Sequence, residues 1–211
     1  MAPRAMVFID GNNWYHSLRE AGITGTGQLN YAKVSEKLAG PGREWVGTRY
    51  YIGRVNQGQA PQLYADQRKF LAFLTATDHR ITHYLGRLET RRQPNEAAIE
   101  LRQYLSGLKT RIDTRVFQDL MNVAKRNVLV DVMSEKAVDV MLAVDMVLMA
   151  ERNEYDAAYL LTADGDFTPA VAAVRSLDKP VYAASPATGA QLAAAVTKFI
   201  PLSHGWFADC W

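Results

Sequence analysis

The sequence predicts an α/β protein in which a mainly parallel sheet is covered by helices on both faces. Three observations lead there. Short continuous apolar runs recur, as in Ala5–Ile9, Ala157–Thr162 and Pro180–Ala184, and runs of that length read as buried strands. Segments with apolar residues at helical spacing lie between them. Gly- and Pro-containing turns separate the two kinds of segment, and strands alternating with helices build parallel sheets. At 211 residues the chain is expected to form a single domain.

Taken in order, Ala5–Ile9 is a strand that ends at Asp10. Asn12 or Asn13 then caps a helix carrying Trp14, Tyr15 and Leu18. Gly22 to Gly27 is a turn region, and Tyr31–Leu38 a short helix closed by Gly40-Pro41-Gly42. Trp45–Ile52 is rich in β-formers and makes the second strand. Pro61–Thr77 is a helix with Leu63, Phe70, Leu71 and Leu74 on one face, and Arg80–Leu85 is a third strand. Helices over Asn95–Leu108 and Thr114–Ala124 and a strand over Asn127–Met133 follow. Lys136–Glu151 is a strongly apolar helix and Ala157–Thr162 a buried strand. Phe167–Leu177 is a helix opened by Thr168-Pro169, since proline is tolerated in a first turn. Pro180–Ala184, Gly189–Val196 and Phe199–Leu202 complete the alternation as strand, helix and strand.

Composition narrows the class. Hydrophobic residues are 48% and charged residues 22%, which excludes disorder, collagen and coiled coil as the main state. No apolar run approaches the ~18–20 residues of a membrane-spanning helix, and the amino terminus lacks the apolar stretch of a signal peptide. The single cysteine, Cys210, permits no internal disulfide and argues against a cysteine-based zinc site. A cytoplasmic location is expected. The net charge of +2 identifies no partner, but Arg87 to Arg126 holds nine basic residues against five acidic ones. Such a stretch is ordinarily a solvated helix face.

The chemistry lies at strand ends. The first strand runs into Asp10-Gly11-Asn12-Asn13 and the later one into Thr162-Ala163-Asp164-Gly165-Asp166. Ligands of open α/β sheets bind at the carboxyl ends of the strands. Asp139 stands near the start of the apolar helix, where the helix dipole favours an acid. Asp145 follows six residues later, about 240° around the helix, and so faces elsewhere, for example bonding a loop. Each feature has a plainer reading: Asp10-Gly11 as a turn, Asn13 as a simple cap, Asp164-Gly165-Asp166 as a cap plus a turn, Asp139 as a dipole partner. Their coincidence at ends expected to converge favours a shared site. Carboxylates gathered in one cleft raise each other's pKa. A divalent cation relieves this, and all-oxygen ligation points to Mg²⁺ or Mn²⁺. No histidine pattern offers an alternative.

These segments in this order resemble the NYN family, in the LabA-like branch of the PIN-like nucleases. The resemblance rests on Asp10-Gly11-Asn12-Asn13, on Glu135-Lys136-Ala137-Val138-Asp139-Val140-Met141-Leu142-Ala143-Val144-Asp145, and on Thr162-Ala163-Asp164-Gly165-Asp166-Phe167-Thr168-Pro169. Two departures stand out: Ala137 replaces the usual glycine, and Ala163-Asp164-Gly165 replaces Gly-Asp-Ser. Neither removes a carboxylate. The resemblance implies a Rossmann-like, PIN-like three-layer fold and a metal-dependent ribonuclease. By that analogy Asp10, Asp139, Asp164 and Asp166 hold Mg²⁺ or Mn²⁺, Asn13 supports the catalytic site, and a metal-activated water attacks RNA to leave a 5′-phosphate. RNA is the implied partner, with Lys136 as the nearest candidate for a phosphate contact and Arg91 and Arg92 as RNA-binding candidates in the basic stretch. The long helical segment from Glu89 to Arg126 has no counterpart in the resemblance. It is open to being a lid, an RNA-binding arm or a contact in a homo-oligomer.

Other classes compete. The same fold can serve as a catalytically silent RNA- or protein-binding regulatory module, but a pure binder gains by losing the clustered carboxylates. A haloacid-dehalogenase phosphatase also begins with a strand ending in Asp, yet its second Asp falls where this chain has Asn12. A Toprim centre pairs a glutamate with Asp-x-Asp, and the first acid here is aspartate.

Overall fold

Strand β1 (Arg4–Asp10) is buried from Ala5 to Asp10 because it lies inside the sheet, paired in parallel with β2 (Glu44–Arg54) on one side and β5 (Ala157–Leu161) on the other. The computed structural model describes residues 2–211, with side chains placed except at 88–90 and 131–135. The remaining strands are β3 (Ile81–Pro94), β4 (Leu129–Lys136), β6 (Val181–Ser185) and β7 (Lys198–Pro201). The hydrogen-bonded order is β4-β3-β2-β1-β5-β6-β7. From β3 to β7 every pairing is parallel, so six strands end on one edge.

The chain divides into two compact units, one of residues 1–87 and 135–211 and one of residues 88–134. In the first, alternate residues of each strand feed two cores. Ala5, Val7 and Ile9 of β1 pack with Trp14 and Leu18 of α1 (Gly11–Glu20), Tyr31 and Val34 of α2 (Tyr31–Ala39), and Leu71 and Leu74 of α3 (Pro61–Thr77). Met6 and Phe8 pack on the other face. Their partners are Leu142 and Met146 of α6 (Val138–Glu151), Val171 and Val174 of α7 (Thr168–Arg175), and Leu192 of α8 (Ala190–Ala195). Helix, sheet and helix make three layers, as the alternation of segments predicts. Leu63 is 48% exposed, so the apolar face of α3 is narrower than expected.

The second unit contains the outer part of β3, α4 (Glu96–Gly107), α5 (Thr114–Arg126) and most of β4. Asn95 caps α4 through the Ala98 amide, and Asp113 caps α5 through the Arg115 and Val116 amides at 2.8 and 3.2 Å. The two helices pack on each other. The segment expected to be helical from Glu89 begins instead as strand: residues 89–94 continue β3, which runs nine residues past the expected end at Leu85. The first α1 residue is Gly11 and its cap is Asp10, not Asn12 or Asn13. No helix among the described residues is long and apolar enough to cross a membrane.

The far end of β1 is tied to β5 electrostatically. Asp156 accepts from the Arg4 amide at 2.7 Å, Nε at 3.2 Å and Nη2 at 2.9 Å. These bonds, the side-chain ones foremost, hold the Asp156 pKa down at about 2. Its folded value lies below its unfolded one, so between the two the unfolded chain binds more protons. Asp156→Asn is therefore expected to lower stability at neutral pH. The gap to the wild type should be full above pH ~4 and close as the pH falls towards 2. Urea denaturation across that range measures it, and a gap independent of pH excludes this role for the pair.

Candidate metal and nuclease site

Asp10 is the last residue of β1 and only 3% exposed. A carboxyl in that position needs hydrogen bonds to be tolerated. Its Oδ1 accepts from the Asn13 amide at 3.2 Å, which starts α1, and its Oδ2 accepts from the Thr162 hydroxyl at 3.0 Å. Gly11 follows because the backbone passes close to β2: a Cβ there would lie 2.6 Å from the Tyr51 carbonyl oxygen.

Thr162, fully buried just after β5, passes the connection on. Its Oγ1 also accepts from the Asp164 amide at 3.1 Å. Asp164 in turn accepts from the Asp166 amide at 2.9 Å and so caps the 3₁₀ turn Gly165–Phe167. Asn13 Oδ1 closes the circuit by accepting from the Ala163 amide at 3.0 Å. Asn13 is thus a bridge between two strand ends, which corrects its reading as a plain cap. Thr162 went unrecognised in the sequence. Its only signal was a hydroxyl residue ending an otherwise apolar run.

Asp139 comes from the first turn of α6. It is exposed as a residue. Partial burial of its carboxyl, with Asp164 and Asp166 nearby, raises its pKa. Asp10 is pushed up to about 6, chiefly by burial, and Asp139 and Asp164 add to this against the opposing bonds from Asn13 and Thr162. Asp10 of β1 therefore feels Asp139 and Asp164, and Asp139 of α6 feels Asp164 and Asp166 of the segment after β5. Among the described residues none of the four forms an ion pair, and no three acidic, histidine or cysteine side chains are close enough together to enclose one ion. The donors are all hard oxygens in mutual repulsion, a set that suits Mg²⁺ or Mn²⁺ by its chemistry.

Asp145 is separate, as the helical spacing requires. It accepts from Arg49 Nη1 at 2.8 Å and the Tyr51 hydroxyl at 2.7 Å, so its partners are on β2 and not in a loop. Lys136 is half-buried at the end of β4, not at a helix start. Its carbonyl oxygen would lie 2.8 Å from a Cβ on Gly86, so β3 needs glycine there. Arg91 and Arg92 are exposed on the part of β3 that belongs to the second unit. The side chain of Glu135, which opens the middle motif, lies outside the described residues. Of the aromatic pair after the first motif, Trp14 is core and Tyr15 is 46% exposed.

The NYN domain model matches residues 4–203. A crystal structure of a protein of unknown function from Vibrio parahaemolyticus is similar with a TM-score of 0.53 and 17% identity, covering 96% of this chain and 94% of that one. That likeness concerns the fold. No curated protein matches the sequence significantly.

Two substitutions test the local geometry. Asn13→Ala strands the Ala163 amide and is expected to cost about 1–3 kcal/mol in urea denaturation; an unchanged midpoint removes Asn13 from the bridge. Ala137, which stands where the motif has glycine, sits at φ 69° and caps α6 with no side-chain bond. A left-handed conformation costs a non-glycine residue roughly 1–2 kcal/mol, partly offset by the greater unfolded-state freedom of glycine. Ala137→Gly is expected to raise stability by about 0.5–1 kcal/mol, and a loss of stability contradicts the strain.

Proposed function

The chain belongs to the NYN domain family, generally a nuclease-type domain, and from that premise we propose that it is a metal-dependent ribonuclease hydrolysing phosphodiester bonds of single-stranded RNA. What supports this reading is the electrostatic coupling of Asp10 to Asp139 and Asp164, and of Asp139 to Asp164 and Asp166, with no basic partner for any of the four among the described residues. Among the described residues no three of these carboxylates already enclose one ion, so Asp10, Asp139, Asp164 and Asp166 would have to draw together to hold Mg²⁺ or Mn²⁺. When bound, such an ion activates water and offsets charge developing on the phosphate.

The chain's own residues prepare that site. Thr162 and the Asn13 amide occupy one lone-pair direction on each Asp10 oxygen and so fix the plane of the carboxylate. Asn13 is a positioning residue that holds the segment bearing Asp164 against β1. The Thr162 hydroxyl and the Asp166 amide orient the backbone and carboxyl of Asp164. Asp139 adds a fourth carboxylate from the helix layer. Lys136 is a candidate for holding a phosphate oxygen, and Arg91 and Arg92 of the second unit are candidates for contacting RNA. The three motif segments support the LabA-like branch. We read residues 1–211 as one NYN domain carrying a basic embellishment around 89–126. A buried, unpaired Cys210 suits a reducing cytoplasm.

Asp164→Asn is expected to abolish Mn²⁺-stimulated cleavage of single-stranded RNA. In EDTA its melting temperature should equal or exceed that of the wild type, because one member of a repelling group becomes neutral. Undiminished cleavage by a rigorously purified variant overturns the assignment. RNA binding by the wild type without cleavage in Mg²⁺ or Mn²⁺ points instead to a silent binding module on the same fold.

A further inference from the structure

The parallel strands that deliver Asp10 also deliver cations to the same edge. Asp10 pairs with Tyr51, and β2 runs three residues further to Arg54, about 10 Å along the strand at ~3.3 Å per residue. Arg54 is in register with Arg87 of β3, and both are exposed. Strand alternation places Arg54 on the sheet face of Tyr50 and Ile52, the face that α3 covers. Gln67 of α3 fastens this end of β2, accepting from the Val55 amide at 3.0 Å and donating to the Gly53 carbonyl at 2.7 Å.

Beside this junction an open groove of about 480 Å³ runs along α3, lined by Gln57, Tyr64, Arg68 and Lys69 among others. The groove follows the helix from Pro61 to Ala72, roughly 16 Å at 1.5 Å per residue. Arg54, Arg68 and Arg87 make no ion pair among the described residues. Lys69 has only a distant one, 3.9 Å to Asp66, whose carboxylate also accepts from Gln62 at 3.1 and 3.2 Å. The other flank differs. The segments after β5 and β6, Thr162–Asp166 and Pro186–Gln191, hold no lysine or arginine. Lysine and arginine are therefore found at the ends of β2 and β3 and along α3, and not in the segments after β5 and β6.

We propose that the groove along α3 is a binding subsite for the single-stranded RNA segment flanking the cleaved bond, with Arg54, Arg68 and Lys69 contacting phosphates and Tyr64 stacking on a base. The proposal rests on the ribonuclease reading of the aspartate centre. An open groove with one aromatic ring among separated cations matches an extended strand, whose phosphates recur along its length and whose bases each offer a stacking face. An enclosed small molecule needs a deeper, less open pocket.

The test is binding of a fluorescent single-stranded oligouridine to the full chain in EDTA, read by anisotropy over a salt series, together with cleavage in Mn²⁺. All substituted positions lie on the helix surface, and melting temperatures check that the variants fold. Arg68→Gln with Lys69→Gln should weaken binding at least tenfold and flatten the salt slope by about 1.4, at ~0.7 per phosphate contact for single strands. Tyr64→Leu should weaken binding roughly tenfold and leave the slope unchanged. KM for a long substrate should rise while kcat is retained. Wild-type affinity and slope in these variants, with cleavage intact, overturn the groove and leave the ribonuclease reading standing. Binding that depends on the groove without any cleavage by the wild type supports the groove and overturns the ribonuclease. Absence of RNA binding by the wild type overturns the groove whatever the cleavage result. Equal competition by polyglutamate overturns it in favour of an acidic protein segment.

Discussion

One buried carboxylate organises the functional edge. Asp10 ends an apolar strand where an unpartnered charge is costly, so both oxygens must find donors. The donors chosen are the Asn13 amide and the Thr162 hydroxyl. The first fixes where α1 begins. The second ties β1 to the segment after β5. Asn13 then returns through the Ala163 amide, so Asp10, Asn13, Ala163 and Thr162 form a closed hydrogen-bonded ring. Asp164 and Asp166 hang from that ring through the Thr162 hydroxyl and the Asp166 amide. Loss of a member opens the ring at one point and frees the carboxylates attached to it.

The same ring explains what could be read in the sequence. Buried runs such as Ala5–Ile9 and Ala157–Leu161 announce themselves, because a strand covered on both faces has no polar alternation. The aspartates stand out because acids at the ends of such runs need a reason. Asn13 was harder. Asn at a helix start is so common as a cap that its cross-strand bond leaves no separate mark. Asp10 takes the capping role instead and releases the Asn13 side chain. The length of β3 was hidden too. Beyond Leu85 the segment carries Leu88 among Gly86, Arg87, Glu89, Thr90, Arg91, Arg92 and Gln93, and one apolar residue is too few to mark a strand. Thr162 has the β-branched shape of a strand residue, and its hydroxyl gains meaning only from Asp10 opposite.

Ala137 shows how a motif can survive at a local cost. Glycine is comfortable at positive φ, and alanine is not. The chain nonetheless turns at φ 69° there to bring Asp139 onto the first turn of α6. The last strand residue before it, Lys136, is already constrained by Gly86, which lets the Lys136 carbonyl and Val138 approach β3. A backbone held from that side has little room to relax around Ala137. Local strain is tolerated where surrounding packing determines the turn.

The treatment of acids elsewhere in the chain sharpens the meaning of the four at the edge. Asp156 is bound by Arg4, Asp78 by Arg80, Asp209 by Lys37, and Asp145 by Arg49 together with the Tyr51 hydroxyl. The contrast is clearest on α6. Asp145 receives a guanidinium from β2, whereas Asp139, six residues earlier, meets Asp164 and Asp166. A fold able to place Arg49 against one aspartate of that helix has the means to neutralise the other. Leaving Asp139, Asp10, Asp164 and Asp166 against one another raises the free energy of the folded chain wherever they are ionised. A positive partner from outside reverses the sign of that contribution, because each added carboxylate then strengthens its hold. The repulsion within the free protein and the affinity for a cation arise from the same four charges.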